Sequence, residues 1–262
     1  MTDPAAVPAA RIRAMHSVEG RVVIVTGSGQ GVGRGMAHHF AKAGATVVVA
    51  DWNAEKMART VSEVEALGAP ALGVPCNIME RETLDAMVAA TVAAFGRVDA
   101  IVNNAQTFRP NAPIAEVTTE DVEVFHRSGV LGTLWAMQAV YPHMKAAGWG
   151  RIVNFASSMG IVGGAGFGAY NASKEAIRAL TRTAAKEWAA DGIVVNAIAP
   201  AAAPPRAVGS AHYEEFMRTS PMHRNGDPEL DIGSVAHFLC TDACRYLTGQ
   251  TFMCDGGTYL WA

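Results

Sequence analysis

Cysteine is scarce in this chain, and the scarcity excludes two ways of holding a fold together. The four present, Cys76, Cys240, Cys244 and Cys254, have neither the spacing of a zinc-ligand set nor that of a disulfide framework. No metal site is therefore expected. The i, i+4 pair Cys240 and Cys244 reads as small core residues, and the setting expected is reduced and cytoplasmic. Surplus charge is missing too. A formal net charge of −3, with no stripe of lysine or arginine, leaves phosphates nothing to follow, so nucleic acid is not an expected partner. No apolar run is long enough for a signal peptide or a membrane span, and no membrane partner is expected. Internal repeats and low-complexity linkers are absent as well. With 262 residues, 50% of them hydrophobic, that favours one domain with a sizeable core. The Ala/Pro-rich stretch 1–17, with Arg11 and Arg13 embedded, reads as a flexible extension and 18–262 as the single domain.

What is present is an alternation. The run Arg21–Thr26 is a buried-strand pattern that leads straight into Gly27-Ser28-Gly29-Gln30-Gly31-Val32-Gly33 and a helical segment from Arg34 to Ala43. A strand, a glycine-rich turn and a helix in that order make a phosphate cradle, because backbone N–H groups and the helix dipole at the helix start favour an anion. Glycine-rich turns also arise for ordinary reasons of positive φ, so the loop gains its meaning from context. That context is a second strand, Thr46–Ala50, which ends in Asp51, where a dinucleotide fold places the carboxylate for the adenosine ribose. A 2′-phosphate at that spot would meet a like charge, at a cost of about 1–4 kcal/mol at ~4 Å. Asp51 accordingly predicts NAD. The competing reading is that Asp51 only caps a helix starting near Asn53.

The alternation continues with a helix over Ala54–Leu67, a strand at Ala71–Pro75, a helix over Arg81–Phe95 and a strand over Val98–Asn103. A long helical stretch from Glu120 to Ala147 precedes the strand Arg151–Ala156, then a helix carrying Tyr170 through Ala190, then the strand Ile193–Ile198. A short helix from Pro228 to Cys240 and a strand at Thr251–Cys254 close the pattern. This predicts an α/β fold, a doubly wound Rossmann-type parallel sheet of about seven strands with helices on both faces. Ligands on such sheets bind beyond the carboxyl ends of the strands, and Gly27, Asp51, Asn77, Asn104 and Ser157 all fall at or just after strand ends.

Ser157, Tyr170 and Lys174 form the candidate catalytic set. Tyr170 and Lys174 are an i, i+4 pair, and on a helix such residues share one face. A free phenol has a pKa of about 10, and an adjacent positive charge favours phenolate. Tyr-x-x-x-Lys alone is a common accident of sequence. Ser157 strengthens it, because it follows an apolar strand and reaches the helix across a loop holding Gly160, Gly163, Gly164, Gly166 and Gly168.

From Gly20 to Gly257 these features resemble the short-chain dehydrogenase/reductase family. Thr26-Gly27-x-x-x-Gly31-x-Gly33 is similar to its cofactor loop, and Asn103-Asn104-Ala105 to its Asn-Asn-Ala-Gly motif. Ser157 with Tyr170-x-x-x-Lys174 is similar to its catalytic set, and Leu247–Gln250 with Asp255-Gly256-Gly257 to its C-terminal signature. The resemblance implies that Tyr170 is the acid/base, that Ser157 holds the substrate oxygen, and that Lys174 tunes Tyr170 and binds the nicotinamide ribose. It implies a cofactor-binding set of Gly27, Gln30, Gly31, Val32, Gly33, Asp51, Trp52, Asn77, Ile78, Asn104, Ala105, Tyr170, Lys174 and Pro200. The activity implied is NAD-dependent interconversion of a secondary alcohol and its ketone. The family also implies a homotetramer built on Glu120–Ala147 and Gly168–Ala190, with another contact near Tyr259–Ala262. Pairing with a related, non-identical subunit is the alternative arrangement.

Several positions depart from the family pattern. Gly129 stands where the family carries a relay asparagine, Gln106 replaces the glycine after Asn103-Asn104-Ala105, Ala201 follows Pro200 in place of glycine, and Pro205 replaces a threonine. Asn77 stands in place of an aspartate, and His126, one turn before Gly129, is a candidate substitute in the relay. These departures motivate a second reading, a catalytically impaired NAD-binding homologue that acts as a regulatory or partner subunit. The segment Ala201–Asn225 reads as a lid. Its Tyr213, Phe216, Met217 and Met222 point to a fairly apolar small-molecule substrate of alicyclic, steroid-like or acyl kind, and it also carries Arg206 and Arg218.

Overall fold

The computed structural model describes residues 7–202, 213, 214, 218 and 220–259 of the chain. Seven strands form one parallel sheet in the order β3-β2-β1-β4-β5-β6-β7. They are β1 (Val22–Thr26), β2 (Thr46–Asp51), β3 (Ala71–Pro75), β4 (Ala100–Asn103), β5 (Gly150–Phe155), β6 (Ile193–Pro200) and β7 (Thr251–Cys254). Register follows the burial pattern. In β1, Val23 and Val25 pack with Phe40 and Met36, whereas Val22 and Ile24 pack with Met87 and Val140 on the other face. Consecutive strand residues point to opposite faces, so a continuous valine/isoleucine run is what a sheet covered on both sides requires.

The helices are α1 (Ala9–Ala14), α2 (Gly31–Lys42), α3 (Ala54–Ala66), α4 (Arg81–Phe95), α5 (Thr119–Phe125), α6 (Gly132–Ala147), α7 (Ser158–Val162), α8 (Gly168–Trp188) and α9 (Gly233–Leu239). Among the described residues none is long and apolar enough to cross a membrane. No group of three or more His, Cys, Asp or Glu side chains among them is placed to hold a metal ion.

Several boundaries differ from the sequence reading: β4 starts at Ala100 rather than Val98, a π-helical turn, Pro228–Ile232, precedes α9, and three further differences have a local reason. Helix α2 starts at Gly31 rather than Arg34. Residue 33 in its first turn must be glycine, because the helix approaches β1 so closely that a Cβ there would lie 2.3 Å from the Gly27 carbonyl oxygen. The stretch from Glu120 to Ala147 is not one α-helix. A π-helical turn, His126–Leu131, separates α5 from α6, and Gly132 at its exit lies so close to the Ile78 carbonyl that a Cβ would come within 2.7 Å. The glycine-rich loop after β5 contains α7, whose first turn is capped by Ser157. In the segment read as a flexible extension, α1 is helical, and the Met15 and His16 carbonyls accept from Ala243 N and His237 Nε2. Residues 1–6 lie outside the described residues.

The strand order reverses between β1 and β4, and a crevice opens there at the carboxyl ends. One side chain ties its two walls together. The Thr26 hydroxyl accepts from Asn104 N and Ala105 N, both at 3.1 Å, while the Asn104 amide donates to the Thr26 carbonyl at 2.9 Å. Thr26 is buried, so replacing it by valine keeps the shape and leaves Ala105 N without an acceptor, while Asn104 N keeps only its bond to the Val102 carbonyl. Thr26→Val is expected to lose about 1–3 kcal/mol of unfolding free energy and to weaken dinucleotide binding. Denaturant titration checks this, and an unchanged midpoint would show that the hydroxyl is not the tie.

Candidate active site

The crevice begins with the loop between β1 and α2. Gly27 and Gly31 both adopt positive φ, 66° and 55°, a region that favours glycine. A Cβ on Gly27 would lie 2.9 Å from the Ala105 backbone, so β1 and the segment after β4 touch at this glycine. The first turn of α2 has no side-chain cap and no acidic residue. Gln30, its N-cap residue, turns its side chain outward to accept from Lys56 Nζ at 2.7 Å. Val32 packs against the core below. An uncapped helix start with a close backbone approach is a site that fits a phosphate.

Asp51 closes the other side. Its carboxylate is buried and accepts from Gly29 N and Asn53 N, both at 2.9 Å. Asn53, not Asp51, is the N-cap of α3, since its side chain accepts from Lys56 N. The capping alternative for Asp51 therefore fails. Each carboxylate oxygen carries one backbone bond and retains acceptor capacity, so both remain able to take a hydroxyl. Gly29 must be small here, because a Cβ would sit 2.9 Å from the Asp51 carboxylate. Trp52, next to it, is 79% exposed and lies open at the crevice edge. Asn77 spends its amide on the turn into α4, donating to Glu80 and accepting from Met79 N. Ile78 is partly buried against the second face of the core. Asn104 and Ala105 hold the Thr26 tie, and Pro200 ends β6 opposite Cys254. The donors, the cradle and the carboxylate together fit a dinucleotide.

Beyond the crevice, α8 carries Tyr170 and Lys174 on one face. Lys174 Nζ lies 5.5 Å from the Tyr170 ring centroid. The ammonium is buried and donates to the Phe155 carbonyl at 2.7 Å. Burial pushes Lys174 down to about 7 from its ordinary value. Ser157 follows β5 two residues after Phe155, is buried, and accepts from Met159 N at 3.2 Å. Helix α7 packs on α8 at this turn, since a Cβ on Gly160 would sit 3.4 Å from Lys174 Cβ. The end of β5, the Ser157 turn and the Tyr170–Lys174 turn are thus brought together. Phe125 and Phe167 flank Tyr170, with ring centroids 5.6 Å and 6.2 Å away. A concavity beside Tyr170 is lined by Pro110, Ala112, Phe125, Gly166 and Phe167.

The structure adds residues that the sequence reading did not assign. Thr26 was read only as part of the loop, and its tie depends on β4 lying beside β1. Phe125 and Phe167 carry no motif; only helical spacing from Gly129 and proximity to Tyr170 in sequence marked them. Pro205, Arg206, Phe216 and Met217 lie outside the described residues, as do 260–262. His126 begins the π turn and is exposed.

The profile of a family described as enoyl-(acyl carrier protein) reductase matches residues 27–259. A 12alpha-hydroxysteroid dehydrogenase from a Clostridium species is 35% identical over 255 residues, which cover 93% of this chain and 98% of that protein. Among solved structures, a 7alpha-hydroxysteroid dehydrogenase complexed with NADH and 7-oxo glycochenodeoxycholic acid superposes with a TM-score of 0.87 at 32% identity, covering 94% of this chain and 96% of its own. A gluconate 5-dehydrogenase from Burkholderia cenocepacia, in complex with NADP and tartrate, gives a TM-score of 0.87 at 30% identity, covering 94% and 97%. Motifs in order, a shared strand topology and end-to-end similarity converge, and the chain belongs to the short-chain dehydrogenase/reductase family.

Proposed function

We propose that the protein is an NAD-dependent oxidoreductase that interconverts a fairly apolar secondary alcohol and its ketone, with Tyr170 as general acid/base. The observation that carries this reading is the buried Lys174 ammonium beside the Tyr170 ring. When bound, the nicotinamide exchanges hydride with the substrate carbon; the protein's task is the proton. Tyr170 donates it to, or takes it from, the substrate oxygen, and Ser157 donates a hydrogen bond to the same oxygen.

Two effects oppose each other at Lys174. Burial favours the neutral amine, while a phenolate on Tyr170 would favour the ammonium. Keeping the ammonium is what makes phenolate accessible near neutral pH. General acid/base catalysis of this kind contributes about 10²–10⁴ in rate.

Asp51 supports NAD over NADP. Relatives bind either cofactor, as the NADH and NADP complexes illustrate, so the preference rests on this carboxylate. The apolar side chains lining the concavity beside Tyr170, Phe125 and Phe167 among them, support an apolar substrate, together with the hydroxysteroid relatives. Four free cysteines accord with a reducing setting, and a homotetramer through the α5–α6 and α8 faces rests on the family habit alone. The impaired-subunit reading is favoured only by Gly129, Gln106 and Ala201, and retention of Ser157, Tyr170 and Lys174 together opposes it.

Three outcomes are expected. Incubation with NAD and a panel containing a hydroxysteroid, a sugar acid and a 3-hydroxyacyl thioester should produce NADH at alkaline pH. Tyr170→Phe should lower that rate at least about 10²-fold; cofactor binding without turnover of any of them would favour the subunit. Asp51→Ala should narrow or reverse the NAD:NADP ratio of kcat/KM, and an unchanged ratio would remove Asp51 as the selector. The third concerns stability. Lys174 has a lower pKa folded than unfolded, so between about 7 and its ordinary value near 10.4 the unfolded chain binds more protons. Wild-type stability measured against Lys174→Met should therefore rise with pH above 7, by up to about 1.4 kcal/mol per pH unit. A flat difference would mean that the ammonium is not desolvated.

A further inference from the structure

Two histidines distant in sequence meet where α2 packs against α9. His39 Nε2 lies 3.1 Å from His237 Nδ1, and the ring centroids are 5.2 Å apart. The other nitrogen of each ring faces a backbone carbonyl. His39 Nδ1 is 2.9 Å from the Glu229 carbonyl oxygen, and His237 Nε2 is 3.0 Å from that of His16. A carbonyl oxygen only accepts, so both outer nitrogens carry hydrogen. The inner nitrogens are then left facing each other. With no proton between them two lone pairs are opposed, and with two protons two N–H groups and two positive charges are. One proton alone satisfies all three contacts, which spreads three hydrogens over four ring nitrogens.

The pair has little room to adjust. A Cβ on Gly233 would lie 2.8 Å from His39 Cβ, and one on Gly35 would lie 2.5 Å from Pro228 Cβ, so α2 and the segment Pro228–His237 touch closely at two points. The buried Phe40 ring lies 6.4 Å from His39 and 6.3 Å from His237. Charged neighbours come from each packed element. On α2 they are His38 and Lys42; the Pro228–Ile232 turn supplies Glu229, whose carboxylate pairs with Lys42 and lies 3.8 Å from His38 Nδ1. Glu63 of α3 holds His38 and Arg34, and the N-terminal segment supplies His16. Burial lowers the pKa of both histidines; Glu229 opposes this at His39, while the His39 charge adds to it at His237. These surroundings admit one charge, on His39 beside Glu229, and resist two.

We infer that the His39–His237 contact is a one-proton latch that fastens the N-terminal segment to the body of the protein and opens when a second proton arrives. The part that gives way is the segment Ala9–His16. Helix α1 buries none of its residues, and His16 is exposed, whereas α2 and α9 are in close contact. Ala243 N and Arg245 also hold Met15, so the latch and these bonds share the load. Below the ordinary histidine value of about 6.5 the unfolded chain binds two protons at these positions and the latched chain binds one. The latch's contribution to stability is therefore present above that value and is lost as pH falls. The inference does not rest on the oxidoreductase reading.

The test compares wild type with His39→Asn and His237→Gln. The asparagine amide reproduces the Nδ1–H group toward Glu229 and the glutamine amide the Nε2–H group toward His16, so each variant keeps its carbonyl bond and loses one titrating ring. In urea unfolding between pH 7 and pH 5, the wild-type unfolding constant should rise more steeply than that of either variant, by up to about tenfold per pH unit for one excess proton. Equal slopes in all three would overturn the shared proton. Ring-proton NMR of the wild type should show His39 and His237 responding together in two separated steps, and His39 in a single step in His237→Gln. Independent single steps in the wild type would overturn the latch even if a variant folds poorly. Amide exchange over Ala9–His16, corrected for its intrinsic pH dependence, should rise on acidification in the wild type and stay level in His237→Gln. Exchange that stays level in the wild type would overturn the release of the segment.

Discussion

A lysine ammonium withdrawn from water is the feature on which the rest of this molecule depends. Lys174 is buried with its charge against the Phe155 carbonyl, and removing such a group from water without full compensation is costly. The fold bears that cost by fixing three elements at one point: the end of β5, the Ser157 turn and the first turns of α8. Asn154, inside β5, donates to Thr181 Oγ1 at 2.9 Å and accepts from Asn103 Nδ2 at 2.9 Å, so β4, β5 and α8 are cross-linked by buried polar groups beneath the site. A network of this kind, with its members satisfied, holds a strand and a helix in one register.

The dinucleotide crevice lies on the other side of the same sheet edge. Thr26 and Asn104 hold the point where strand order reverses, and Gly27 lets the backbones touch there. Asp51 is set by two backbone N–H groups rather than by a cation, so its charge stays available to a ligand. The uncapped start of α2, the buried Asp51 carboxylate and the buried lysine are thus placed by sheet topology, each near the carboxyl ends of the strands.

Much of this was readable beforehand, and the reasons are particular. Strands such as Val22–Thr26 and Thr46–Asp51 are buried on both faces, so continuous apolar runs marked them, and β3 and α4 begin and end where the spacing put them. The residue types at strand ends exposed the crevice. What stayed hidden depends on contacts distant in sequence. The π turn between α5 and α6 has no periodic signature, and it is visible only once Gly132 is seen against Ile78 and Gly129 against Gln106. Two oddities noted separately, an added amide at 106 and a missing side chain at 129, prove to be neighbours. The N-terminal stretch looked unstructured from composition, yet its Met15 and His16 carbonyls bond to Ala243 and His237, partners more than two hundred residues away.

Similarity to hydroxysteroid and gluconate dehydrogenases extends over nearly the whole chain, so the shared fold does not by itself choose a substrate. The proposed proton chemistry can be measured without knowing the substrate. The most direct measurement is the absorbance of tyrosinate as a function of pH in NAD-bound wild type, with Tyr170→Phe subtracted. The account predicts a single phenol that ionises well below the ordinary value of about 10, and that moves back up in Lys174→Met. A Tyr170 that ionises at or above 10 in the wild type, unmoved by loss of the lysine, would contradict it.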